Sequence, residues 1–118
     1  MVSIRGAITV ESNSSKSIIN GAKELIQKIE EKNNINVDSV ISMIFTCTQD
    51  LSKVAPAKAA RELGYTNASL MCFNEMEVED SLNMCIRLMV LCNLDISQDK
   101  INHIYLKGAK ILRLDLQK

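Results

Sequence analysis

Tryptophan is absent from this chain of 118 residues, and it carries only two Tyr, two Phe, one Pro and one His. So few rings provide no stacking platform for nucleic-acid bases. Net charge is also missing, since 14 Lys and Arg balance 14 Asp and Glu. Proteins that coat nucleic acid need a basic field, so no nucleic-acid partner is expected. No apolar run approaches the roughly 20 uncharged residues that span a bilayer, so no membrane partner is expected either. Residues 1–10 carry Arg5 but no long apolar stretch, and do not read as a secretory signal. No CxxC pair, GxGxxG, Walker loop or nucleophile elbow occurs, so neither a metal nor a cofactor is expected.

What is present is an ordinary globular composition, 47% hydrophobic and 24% charged. A chain of this length makes one domain, 1–118, burying roughly 65% of its unfolded surface. Cys47, Cys72, Cys85 and Cys92 each lie inside an apolar run, where a thiol behaves as a small hydrophobe. They are expected to be free, in a reducing cytoplasm.

Residues 2–11 alternate, with Ile4, Ile8 and Val10 on one face and Arg5 and Thr9 on the other, which predicts a strand. Ser12, Asn13 and Ser14 offer helix N-caps. Ile18, Ile19, Ala22, Leu25, Ile26 and Ile29 then draw one apolar stripe on a helix ended by Asn33 and Asn34, with Glu24 and Lys28 paired on its wet side. Residues 40–48 alternate again, with Ile41, Met43, Phe45 and Cys47 sharing a face. Pro56 opens a short helix and Gly64 closes it. Lys58 and Arg61, three apart, project from one side of that helix. Residues 68–73 read as a short strand and 75–80 as an acidic loop. Residues 84–92 hold eight apolar side chains and one charge, Arg87, and read as a strand covered on both faces. Residues 103–106 make a last strand before a mixed tail running to Lys118. The order β-α-β-α-β-β-β predicts an α+β fold, a single mixed sheet with helices on one face. Nothing remains in the chain to cover the second face, which points to a homo-oligomer burying it.

Arg87 is the main chemical clue. A guanidinium inside an apolar strand must meet an anion, either a carboxylate of this chain or a ligand. Arg5 raises the same question, or is an exposed edge charge. Glu75 stands where a strand becomes a loop, and the hydroxyl of Tyr105 leaves the apolar side of its strand. Lys58, Arg61 and Arg113 read either as solvated charges or as further cations. His103 has no catalytic partner in view and reads as structural. Cations at strand ends, with one carboxylate and one tyrosine, make the composition of a pocket for a small polyanion.

The sequence resembles the small trimeric bacterial, Bacillus-type monofunctional chorismate mutases. The shared stretches are IRGAITVE at 4–11, TQDL at 48–51, PAKAAREL at 56–63, CFNEM at 72–76, CIR at 85–87, HIYL at 103–106 and LRLDL at 112–116. The resemblance implies a pseudo α/β-barrel trimer with active sites at subunit interfaces. It implies the rearrangement of chorismate to prephenate, toward phenylalanine and tyrosine, with no cofactor. By the same resemblance Arg87 donates to the ether oxygen and a substrate carboxylate, Arg5 and Tyr105 bind carboxylate, and Glu75 and Cys72 meet the ring hydroxyl. Ala57, Lys58 and Arg61 come from the neighbouring subunit, Met71 contacts substrate, and Leu112 and Arg113 close the site from a mobile tail beginning near residue 107. Ala55, Met71, Gln49 and Leu114 depart from the pattern, replacing a Phe, a Thr and two prolines. A non-catalytic trimeric binding module and an imine deaminase on a similar trimer are the competing readings. A pure binder has no reason to combine Arg5, Glu75 and Arg87.

Overall fold

Residues 1–116 are described by a computed structural model; the last two residues of the expected domain, Gln117 and Lys118, lie outside the described residues. Five strands form one mixed sheet in the order β3-β2-β4-β1-β5. They are β1 (Val2–Thr9), β2 (Val40–Cys47), β3 (Ser69–Asn74), β4 (Cys85–Cys92) and β5 (Ile104–Leu106). β4 runs antiparallel to both β1 and β2, while β1/β5 and β2/β3 are parallel pairs.

Helix α1 (Ser15–Asn33) forms because its caps and its stripe agree. Ser14 accepts a hydrogen bond from the Ser17 N–H, and Asn34 adopts a left-handed φ of 53° at the other end. Ile18, Ala22, Leu25, Ile26 and Ile29 are buried against the sheet. Each of the four larger ones contributes about 1.5–3 kcal/mol of gross burial energy. The wet face pairs differently from expectation. Lys28 meets Glu31 at 3.6 Å, while Glu24 meets Lys107 at 3.7 Å, so the helix is tied to the start of the tail instead of to itself.

Helix α2 (Ala57–Glu62) follows Pro56 and ends as expected at Gly64, whose φ is +102°. The Gly64 N–H bonds the Arg61 carbonyl and the Tyr65 N–H reaches back to Ala60, a paired closure that needs the left-handed residue. Tyr65 is then fully buried, its hydroxyl donating to Glu30 of α1.

Ile4 and Ile8 of β1, Met43 and Phe45 of β2, and Ile86, Leu88 and Val90 of β4 share the core face beneath α1 and α2. Ile41 does not join them. A bulge between Val40 and Ser42 shifts the register, so Val40 takes the core position and Ile41 is 40% exposed. One extra residue reverses which face a side chain occupies.

β4 is not covered on both faces. Its second face, with Met89 at 42% exposure, stays open in the single chain. Edge strand β3 is exposed along nearly its whole length, Met71 and Phe73 included. Cys72, on that edge, is therefore exposed, unlike buried Cys47, Cys85 and Cys92; all four are free thiols.

The tail is not irregular over its described length. Residues Lys107–Leu116 form 3-10 turns kinked at Arg113. They cover one corner of the open face, where Ala109 is buried with Ala7, Cys85 and Tyr105 and Leu112 packs alongside.

Candidate functional site

Pairing across the open face places side chains in rows. Tyr105 of β5 lies beside Ala7 of β1, which faces Arg87 of β4, which faces Thr46 of β2. The next row holds Arg5, Met89 and Ile44. Alternation in each strand turns these residues away from the core, because their neighbours Ile4, Leu88, Phe45 and Cys47 are held beneath the helices. A cavity of about 230 Å³ opens here, lined by Arg5, Ile44, Thr46, Glu75, Arg87 and Tyr105 among others.

Glu75 follows β3, and its N–H bonds the Cys47 carbonyl at 2.8 Å, which turns the side chain over the end of β2. Its Oε1 accepts from the Thr46 hydroxyl. Its Oε2 lies 3.4 Å from Arg87 Nε. That contact is an ion pair without hydrogen-bond geometry, and the buried Nε donates to no described residue. A buried donor left without a hydrogen bond costs about 1–3 kcal/mol, and more when it is charged. Arg87 is thus neutralised in part, yet keeps hydrogen-bonding capacity facing the cavity.

His103 has the structural role its surroundings suggested. Its Nδ1 accepts from the Arg5 N–H at 2.9 Å, which joins the approach to β5 to β1. Burial, with Arg113 and Arg5 nearby, holds its pKa below the usual imidazole value. Burial pushes the Cys47 thiol up to about 12, with Cys72, Cys85, Glu75 and Asp50 adding to the effect. Burial also raises Cys85, partly opposed by Arg87. Neither buried thiol is an available nucleophile near neutral pH.

The structure therefore brings together Arg5, Glu75, Arg87 and Tyr105. Leu112 packs on the Tyr105 cluster, and Arg113, held by Asp115 at 2.9 and 3.0 Å, lies close to Tyr105. The remaining candidates lie elsewhere in the same chain. Cys72 pairs with Phe45 in the register, which puts its thiol on the helix side of the sheet, opposite to Arg87. Met71 is on the open face but on the edge strand. Ala57 is buried in the core, and Lys58 and Arg61 are exposed on α2, on the helix side of the sheet. The sequence reading overlooked Thr46, Ile44 and Met89. The only sequence signal for Thr46 and Ile44 is their alternation with Met43, Phe45 and Cys47.

A larger hollow of about 550 Å³ adjoins Glu75 under the loop of residues 76–83. Asp50, Glu77, Glu79 and Asp80 line it, a field that repels anions. Among the described residues no cluster of metal-ligating side chains occurs. Among the described residues no helix is long and apolar enough to cross a membrane.

A family profile described as chorismate mutase type I matches residues 1–116. Chorismate mutase AroH of Bacillus subtilis (strain 168) is 42% identical over 114 residues, covering 96% of this chain and 90% of that protein. Chorismate mutase AroH of Thermus thermophilus is 41% identical over 115 residues, covering 97% and 94%. Among solved structures, a chorismate mutase from Clostridium thermocellum superposes with a TM-score of 0.90 at 45% identity, covering 92% of this chain and 97% of that one.

Proposed function

The chain belongs to the chorismate mutase type I family, and from that membership we infer that it is an isomerase converting chorismate to prephenate on the route to aromatic amino acids. The observation that carries the reading is Arg87, whose guanidinium is offset 3.4 Å from Glu75 Oε2 and lines a cavity shared with Arg5 and Tyr105.

The rearrangement is concerted and intramolecular. The C–O bond of the enolpyruvyl ether breaks as the new C–C bond forms, and breaking runs ahead of making. Negative charge collects on the ether oxygen and is largest at the transition state. A fixed guanidinium facing that oxygen therefore binds the transition state more tightly than the ground state, which is what accelerates a reaction. Arg87 has this role, and Glu75, on the wall of the same cavity, pairs with it while accepting from the ring hydroxyl. Arg5 and Tyr105 take substrate carboxylates, and Leu112 and Arg113 close the cavity from the tail. Folding the flexible enolpyruvyl arm over the ring adds an orientation contribution. Cys72 contributes through its backbone, because its thiol faces the helix side of the sheet.

The same proposal includes a homotrimer, with each active site completed by Ala57, Lys58 and Arg61 of a neighbour. The exposed Ile44, Met71, Phe73 and Met89 support it, being apolar surface on the open face of the sheet. So does the packing of α2 on the helix side of the sheet, away from the face that carries Arg87. The number three rests on the family resemblance, and a cytoplasmic location completes the proposal.

Loss of chorismate absorbance with appearance of prephenate tests the activity, and also separates it from a binding module or a deaminase. Co-assembly of an inactive Arg61→Ala subunit with an inactive Arg87→Ala subunit tests the shared site. Recovered activity is expected, and an inactive mixture of intact oligomers refutes it.

A further inference from the structure

We propose that Thr46 is a positioning residue for this reaction, setting the Glu75 carboxylate so that Glu75 in turn aims Arg87; this rests on the functional reading above. Thr46 stands directly opposite Arg87 in the β2/β4 register, on the open face. It lines the cavity with Glu75, Arg87 and Tyr105. Its hydroxyl donates to Glu75 Oε1, and the other oxygen of the same carboxylate lies 3.4 Å from Arg87 Nε.

The chain hydroxyl, carboxylate, guanidinium has a physical consequence. Glu75 begins a loop, and its backbone is fixed at this point by one bond, from its N–H to the Cys47 carbonyl. A carboxylate on such a segment rotates about its side-chain torsions unless another group holds it. The Arg87 contact cannot hold it alone, because it lacks hydrogen-bond geometry. A β-branched side chain on a central strand is stiff about χ1, so the Thr46 hydroxyl is a fixed post. A hydrogen bond to a charged acceptor is also among the stronger kinds. Held this way, Oε1 is occupied by the protein and Oε2 is turned toward Arg87. Without Thr46 the carboxylate is free to rotate about its side-chain torsions, away from the position that aims Arg87. Arg87 then loses both its orientation and its partial neutralisation.

Thr46→Val keeps the branched shape and the strand preference while removing the donor. It is expected to lower kcat roughly 10- to 30-fold, the loss of one hydrogen bond to a charged group, with KM changed less than about threefold. Thr46→Ser, which restores a hydroxyl, is expected to recover most of the rate. In a Glu75→Ala background, assayed at raised enzyme concentration, Thr46→Val is expected to cost nothing further, since the group it positions is gone. Thermal unfolding of each variant separates this from a packing effect, which lowers stability and leaves kcat alone. Wild-type kcat in Thr46→Val overturns the role, as does additivity with Glu75→Ala. If the wild-type protein does not consume chorismate, the functional reading and the role fail together; if it does and Thr46→Val is unaffected, the role alone fails.

Discussion

Replacing Arg87 by lysine keeps the charge and changes the geometry, and so tests whether position or charge drives the reaction. The guanidinium is a planar fork with five donors, of which Nε faces Glu75 Oε2 at 3.4 Å while the rest of the group is available to the cavity. Lysine has a single nitrogen. Paired with Glu75, it points away from the ether oxygen; pointed at the ether oxygen, it leaves Glu75 without its partner. One transition-state donor is lost in either case, so kcat is expected to fall about 10²- to 10³-fold, or roughly 3–4 kcal/mol. KM should rise as well, because the same fork contacts a substrate carboxylate. Stability is expected to change little. The Arg87 and Glu75 side chains are 33% and 20% exposed, and a partly solvated ion pair contributes only about 0–1 kcal/mol. The assay follows chorismate absorbance over a range of concentrations, beside a thermal unfolding curve. A folded Arg87→Lys protein with kcat within about threefold of wild type would refute the transition-state role.

Gly6 has no room for a methyl group, since a Cβ would lie 2.7 Å from the Ile104 carbonyl oxygen and 3.0 Å from Leu25. Gly6→Ala is expected to push β5 from β1, costing about 1–3 kcal/mol in denaturant unfolding and weakening activity through Tyr105; unchanged stability would contradict the packing. His103 takes up a proton less readily in the fold than in the unfolded chain, where it does so near pH 6.5. Its stabilising contribution is therefore complete above that pH and is lost as pH falls below it. Denaturant unfolding from about pH 7.5 to 5 should show a steeper loss for wild type than for His103→Asn, which keeps an acceptor for the Arg5 N–H, and equal slopes would refute this. Tyr65→Phe removes the buried donor to Glu30 and should cost about 1–2 kcal/mol in denaturant unfolding; unchanged stability would refute the contribution of that bond.

Local patterning was enough for the elements themselves. The caps at Ser14 and Asn34, the α1 stripe, the closure at Gly64 and the five strands are all legible in sequence, because each depends on residues within a few positions. The resemblance likewise named Arg5, Glu75, Arg87 and Tyr105. What the sequence could not express was relation across the sheet. The face taken by Ile41 turns on a bulge, which inserts no recognisable residue type. The place of Cys72 turns on the β2/β3 register, and a shift of one residue would have put its thiol on the face that carries Arg87. Thr46 looks like any strand threonine until β2 and β4 are aligned. An apolar run around Arg87 said that the strand was greasy on both sides, yet only the assembled sheet decided which side the chain covers for itself. Periodicity is a property of neighbours along the chain, whereas register and the meeting of Thr46, Glu75 and Arg87 are set by which strands pair and at what offset.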